Sequence, residues 1–352
     1  MSTKNLIAIN GQGLKFRPGE TILQVAQRHG IYIPTLCYLK GASPTGACRM
    51  CLVEVEGARN LVASCAARAA SNMVVQTDSD RVISSRKMNL ELLLSMGHHY
   101  CVTCEADGDC RLQDLAYRYQ VETVRFAESP PKYPEEVNTF ITRDFSRCIM
   151  CGRCVQACNE VQVNRAISYG YRGTSSKIVT VGDRTYMDSD CVFCGECVQA
   201  CPVGALVEKP SRFKGKPWET KKVQTTCSYC GVGCQMLLHV KGDRVVKVTG
   251  VEDAGPNYGS LCVKGRFGYD FIHDKERLKT PLIRENGAFR EASWEEALDF
   301  VARSLLKIKK GSGPDSIGVL SSARITNEEN YVAQKFTRAG IGTNNVDHCA
   351  RL

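Results

Sequence analysis

The chemistry of this chain lies in its 20 cysteines, spread over 352 residues. They fall into five groups, 37/48/51/65, 101/104/110, 148/151/154/158, 191/194/197/201 and 227/230/234/262, with Cys349 left over. So many thiols in a reducing cytosol are not a disulfide framework, and metal ligation is the reading that remains. The sharpest pattern is Cys148-x2-Cys151-x2-Cys154-x3-Cys158, repeated as Cys191-x2-Cys194-x2-Cys197-x3-Cys201-Pro202. Three cysteines of one tight loop grip three corners of a cubane, and the fourth, a helical turn later, points to the other cluster. Cys148, Cys151, Cys154 and Cys201 are therefore expected on one [4Fe–4S], and Cys191, Cys194, Cys197 and Cys158 on the second. Structural zinc prefers paired C-x2-C knuckles to such triplets.

The other groups are less self-evident. Cys37, Cys48, Cys51 and Cys65 offer four thiolates, which suit a [2Fe–2S] centre or zinc. The small α+β segment around them resembles a ferredoxin-type β-grasp and favours iron. Cys101, Cys104 and Cys110 lack a fourth ligand, while His98 and His99 stand just upstream. Imidazole replaces thiolate in some clusters; one of the two is expected to ligate, with His98 preferred. His29, His239 and His273 have no such context and are expected to be structural. Cys227, Cys230, Cys234 and Cys262 close a fifth site, for which zinc is also open on spacing alone. No phosphate-binding Gly loop and no nucleophile–base constellation occurs. Five metal centres without a dinucleotide site describe a path for electrons.

The elements that must position these groups read as an α+β multidomain chain. Residues 1–80 combine strands, in which Leu6, Ala8, Leu14 and Phe16 alternate, with a helix at Thr21–His29. Residues 81–125 read as two helices flanking a tight cysteine loop. The repeat occupies 138–209, with a hairpin insertion at Gly170–Val181. Proline-rich Ser129–Pro134 and basic Lys209–Lys222 read as linkers. Residues 222–275 carry the last cysteine group, and 276–352 begin a larger α/β domain that the sequence enters but does not finish.

Composition narrows the class further. The chain is 43% hydrophobic and 24% charged, which is ordinarily globular. No apolar run reaches the roughly 18–20 residues of a membrane helix. The N-terminus has no signal-peptide pattern, so the cytoplasm is the expected location. The formal charge of +9 comes from scattered Lys and Arg with no basic stripe, and nucleic acid is not an expected partner. Five oxidised clusters with their thiolates add about −9, leaving the loaded protein near neutral.

On these motifs residues 1–209 resemble the N-terminal region shared by the complex I large iron–sulfur subunit, [FeFe]-hydrogenases and NAD-linked formate dehydrogenases. That resemblance implies a [2Fe–2S] β-grasp domain, a small helical domain with a histidine-ligated [4Fe–4S], and a two-[4Fe–4S] ferredoxin domain. The family's His-x3-Cys is not matched, because Gly97 stands four residues before Cys101. Further on, Cys227-Ser-Tyr-Cys230-Gly-Val-Gly-Cys234 and Leu261-Cys262-Val-Lys264-Gly-Arg266 resemble the start of molybdopterin-dependent formate dehydrogenases. By resemblance, Lys264 is the electron-relay residue between the fourth [4Fe–4S] and the pterin.

The string Thr343-Asn-Asn-Val-Asp-His-Cys349-Ala-Arg351-Leu352 resembles the approach to the selenocysteine or cysteine that ligates molybdenum or tungsten. The expectation is a catalytic subunit read up to a selenocysteine codon, with a cloned or natural fragment as the alternative. The resemblance implies formate/CO2 interconversion at a Mo or W bis-molybdopterin guanine dinucleotide in the complete subunit, with this stretch alone not catalytic. The expected electron order runs from the Cys227 cluster through the two cubanes to the histidine-ligated and [2Fe–2S] centres. The partners implied are a flavin- and NAD(P)-binding diaphorase-type subunit, a ferredoxin or hydrogenase subunits, and the rest of the molybdopterin domain. A standalone electron-transfer subunit of a hydrogenase or complex I-like assembly is the competing expectation.

Overall fold

The computed structural model describes residues 5–349. They form two compact units, divided in sequence between Lys221 and Lys222.

The first unit opens with β1 (Leu6–Ile9) and β2 (Gln12–Lys15), joined by Asn10 and Gly11. Both turn residues have positive φ, 50° and 78°, as a hairpin turn matched to strand twist requires. All four β1 residues are apolar, so alternation alone does not choose a face. Ile7 and Ile9 are buried, and Leu6 and Ala8 are half-buried. Helix α1 (Ile22–Arg28) begins at a capping box, with Thr21 and Gln24 exchanging hydrogen bonds of 2.8 and 3.2 Å. Strands β3 (Leu52–Val55), β4 (Val62–Ala63) and β5 (Val74–Gln76) complete a sheet of order β2-β1-β5-β3-β4. Within this sheet only the β1–β5 pair is parallel. Ile22, Leu23, Val25 and Ala26 of α1 close the core over Ile7, Ile9, Val53 and Val75.

Two helices follow, α2 (Asp80–Ser95) and α3 (Arg111–Arg118). The fully buried Arg86 joins them to the sheet. Its guanidinium donates to Asp78 at 3.1 Å, to the Tyr119 hydroxyl at 2.9 Å and to the Leu52 carbonyl at 2.7 Å.

The repeat is built from β6 (Glu136–Val137), β7 (Ile141–Arg143), α4 (Arg153–Gln156), the hairpin β8 (Ile167–Gly170) and β9 (Lys177–Thr180), α5 (Glu196–Ala200) and β10 (Leu206–Glu208). Its three-stranded sheet has the order β10-β7-β6. Lys209–Lys222, a linker by composition, is tied down instead at Phe213 and Lys216 and ends in a strand from Lys221. Lys216 Nζ donates to the Cys104 carbonyl at 2.8 Å, and the Phe213 amide donates to Glu105 at 3.1 Å.

In the second unit β11 (Lys221–Thr226), β12 (Gln235–Lys241) and β13 (Arg244–Gly250) form a sheet in chain order, followed by the short helix α6 (Val263–Phe267). A hairpin of β14 (Leu282–Glu285) and β15 (Ala288–Glu291) leads to α7 (Trp294–Ser312), β16 (Val319–Ser321), α8 (Asn327–Lys335) and β17 (Val346–His348). Strands β16 and β17 pair in parallel, while α7 and α8 bury none of their residues. Leu298, Phe300, Val301, Leu306, Tyr331 and Val332 stay exposed. Among the described residues no helix is long and apolar enough to cross a membrane.

Candidate metal centres

The two halves of the repeat fold alike at the level of single dihedrals. Met150 and Gly152 have φ of 50° and 77°; Phe193 and Gly195, their equivalents, have 51° and 71°. Each glycine leads straight into a short helix, α4 or α5. The left-handed residues let the chain fold back so that three cysteines of one loop face a common centre.

Cys148, Cys151, Cys154 and Cys201 line one cavity, together with Arg143 and Tyr186. Cys158, Cys191, Cys194 and Cys197 line another, also with Tyr186. The fourth cysteine of each loop lines the cavity of the other loop's three. Burial pushes the Cys148, Cys151 and Cys154 thiols up, and Cys201 up to about 11. Thiolates in so dry a place need positive charge, which an iron–sulfur core brings.

A third cavity is lined by Cys101, Cys104, Cys110 and His99. His99 Nε2 is buried with no hydrogen-bond partner among the described residues, and burial lowers the imidazole's pKa. His98, the histidine preferred on sequence, does not line this cavity. Its ring stacks on Tyr100 at 5.5 Å between centroids, with Nδ1 3.6 Å from Glu128, while its amide donates to the Ser146 carbonyl. Nothing in two adjacent histidines distinguishes them; the side taken by the backbone does. Gly204 also belongs to this wall, since a Cβ there would lie 2.4 Å from Cys104 Sγ.

Cys37, Cys48, Cys51 and Cys65 are all buried. The Cys37 amide donates to Cys48 Sγ at 3.4 Å. Hydrogen bonding from the Cys48 thiol holds Cys37 below the ordinary thiol range, and Cys65 does the same for Cys51. Cys37 and Cys48 share one apolar core with Ile149, Cys151, Val203 and Cys110. The Ser43 amide donates to Glu160 at 2.8 Å, anchoring this loop to the repeat. Thiols of the Cys37–Cys65, Cys101–Cys110 and Cys148–Cys201 sets thus contribute to one apolar core, while Tyr186 lines the cavities of both cysteine sets of the repeat.

In the second unit the Cys227 amide donates to the Cys234 carbonyl at 2.8 Å. Burial raises the Cys227 and Cys234 thiols, and each also feels the charges of Cys230 and Cys262. Lys264 is exposed on α6, two residues beyond Cys262. Cys349 is exposed, with Sγ 3.6 Å from Ser322 Oγ; residues 350–352 of the C-terminal string lie outside the described residues. His29, His239 and His273 have local partners, among them Thr249 for His239 and the Val245 amide for His273. Among the described residues no three His, Cys, Asp or Glu side chains converge on a single-ion site. The four-thiol sets spaced around cavities, and the buried His99 nitrogen without a partner, are donor sets that fit iron–sulfur clusters.

Comparison with known families decides the lineage. Residues 5–80 match the 2Fe-2S iron-sulfur cluster binding domain, 86–125 the NADH-ubiquinone oxidoreductase-G iron-sulfur binding region, and 147–205 the 4Fe-4S dicluster domain. Residues 220–274 match the molybdopterin oxidoreductase Fe4S4 domain and 277–352 the molybdopterin oxidoreductase family itself. The matched models fill most of the chain from residue 5 to residue 352, each as a separate domain. The chain joins 2Fe-2S and 4Fe-4S domains to the start of a molybdopterin oxidoreductase domain.

The chain is 36% identical to a Bacillus subtilis protein named "Putative formate dehydrogenase YrhE", over 100% of the chain and 40% of that protein. It is 38% identical to a subunit of the NADH-quinone oxidoreductase of Rhizobium meliloti, over 98% of the chain and 40% of that protein. It therefore spans about 40% of the length of the curated relatives it matches. A crystal structure of NAD+-reducing [NiFe]-hydrogenase in the H2-reduced state contains a chain of like fold. The TM-score is 0.53 at 32% identity, covering 60% of this chain and 90% of that one.

Proposed function

We propose that this chain is the electron-carrying N-terminal part of a formate dehydrogenase catalytic subunit. Cys37, Cys48, Cys51 and Cys65 hold a [2Fe–2S]. His99 with Cys101, Cys104 and Cys110 holds a [4Fe–4S], and His99 takes the role sequence spacing gave to His98. Cys148, Cys151, Cys154 and Cys201, then Cys158, Cys191, Cys194 and Cys197, hold two more, and Cys227, Cys230, Cys234 and Cys262 a fourth. When bound, the clusters supply one-electron transfer, and a Mo or W bis-molybdopterin guanine dinucleotide in the rest of the subunit supplies formate/CO2 interconversion.

The chain's own residues place the sites and keep them dry. The core shared by Cys37, Cys48 and Cys151, and the close approach of Gly204 to Cys104, set three sites side by side. The Cys148–Cys201 site is then the point from which the histidine-ligated and the [2Fe–2S] centres are both reached. Lys264, exposed beyond Cys262, is the residue assigned to the approach between cluster and pterin. The exposed apolar faces of α7 and α8 are surfaces that the remainder of the molybdopterin domain covers. The electron partner is a flavin- and NAD(P)-binding subunit or a ferredoxin.

The observation that carries this reading is five thiol sets and a molybdopterin domain on one chain. A second reading, an electron-transfer subunit of an NADH-quinone oxidoreductase-type assembly, is favoured by the 38% identity to the Rhizobium protein. The test is the whole protein purified with its partner subunits. Bound Mo or W with formate-dependent viologen reduction supports the first reading. Cluster reduction by NADH, without Mo, W or formate turnover, supports the second.

A further inference from the structure

Tyr186 lies in the wall of both cavities of the repeat. It is 1% exposed, yet its hydroxyl has no hydrogen-bond partner among the described residues. A buried hydroxyl left without an acceptor costs about 1–3 kcal/mol. Such a group in a folded protein calls for an acceptor supplied from elsewhere.

The ring is held so that it cannot turn to water. The Tyr186 amide donates to Glu136 at 2.9 Å. The Arg143 guanidinium lies over the ring, 4.3 Å from its centroid, and is itself 3% exposed. Arg143 in turn is fixed by Glu136 at 3.1 Å and by the Ile178 carbonyl at 2.6 Å. A cation over an aromatic face draws electron density from the ring and strengthens the phenol as a donor. The cavities on either side are lined by eight cysteines and otherwise mostly by apolar side chains. The acceptors they would contain when loaded are thiolate and sulfide sulfurs.

We propose that the Tyr186 hydroxyl donates a hydrogen bond to a sulfur of one of the two cubanes and holds that cubane's potential above the value it would have without the bond. The proposal rests on the reading of the two cavities as cubane sites. A donor to cluster sulfur favours the reduced, more negative state. Tyr186 is thus a positioning and tuning residue; no bond is made or broken on it.

The experiment is an EPR-monitored redox titration of the whole protein carrying Tyr186→Phe, which keeps the ring and removes the O–H. One [4Fe–4S] midpoint is expected to fall, with iron content and the other clusters unchanged. In the parallel variant Tyr186→3-fluorotyrosine, whose phenol is a stronger donor, the same midpoint is expected to rise. Opposite shifts are not produced by a merely structural role. Unchanged midpoints in both variants overturn the proposal. If Tyr186→Phe does not retain its cubanes, the fluorotyrosine protein decides, and an unmoved midpoint there overturns it. Absence of cubane signals from the unmodified protein overturns the site assignment as well, and so separates the two failures.

Discussion

Gly204 lies so close to Cys104 that a β-carbon on it would stand 2.4 Å from Cys104 Sγ. The segment after Cys201 and the loop of Cys101–Cys110 therefore meet with no room for a side chain. Gly204→Ala forces one of them to move, a strain of about 1–3 kcal/mol by the usual scale of overpacking. The variant should lose or broaden the EPR signal of the histidine-ligated cluster and keep the [2Fe–2S] signal. An unaltered spectrum would place Cys104 outside the ligand set.

His99 and His98 make separable predictions. Replacing imidazole by thiolate lowers a cluster's potential, so His99→Cys should keep the cluster and move its midpoint down. His99→Ala should lose iron from that site. His98→Ala, which removes a ring stacked on Tyr100, should change neither iron content nor midpoint. Iron analysis and potentiometry on the three variants read all of this; loss of iron from His98→Ala, with an unmoved midpoint in His99→Cys, would reverse the assignment.

The difference between these two residues shows what sequence could and could not reveal. The gathering of the repeat's cysteines around two cavities was legible because C-x2-C-x2-C-x3-C is a local constraint: short loops have few ways to present three sulfurs to one centre. The same loops carry their left-handed residues at Met150 and Phe193, again a local matter. Which of His98 and His99 lines the cavity of Cys101, Cys104 and Cys110 depends on the side the backbone takes, and here the His98 amide is tied to the Ser146 carbonyl, 48 positions away in sequence. Lys209–Lys222 reads as a linker because it is rich in Lys, Gly and Pro. Composition could not show that Lys216 reaches the Cys104 carbonyl or that Trp218 packs against Gly108. Likewise Leu6–Ile9 was legible as a strand, but not which face of it is buried.

His239 gives a dependence on pH in the second unit. Burial beside Lys247 and Lys222 lowers its pKa to about 4. Its ordinary value is about 6.5, so below that pH the unfolded chain takes up a proton that the folded chain refuses. The stability it contributes is complete above pH 6.5 and is lost as pH falls through about 4. Hydrogen exchange of β12 and β13 amides should show protection declining across that window. His239→Gln should flatten the decline; the same decline in the variant would remove His239 as its cause.

Five clusters on one chain is the central claim, and iron and labile sulfide quantified together with EPR spin counting on the dithionite-reduced protein test it most directly. Four cubanes and one two-iron centre require about 18 iron atoms per chain, with one [2Fe–2S] and four [4Fe–4S] spin systems. Zinc in place of iron at any of the five cysteine sets, or an iron count that leaves one of them empty after full reconstitution, would contradict it.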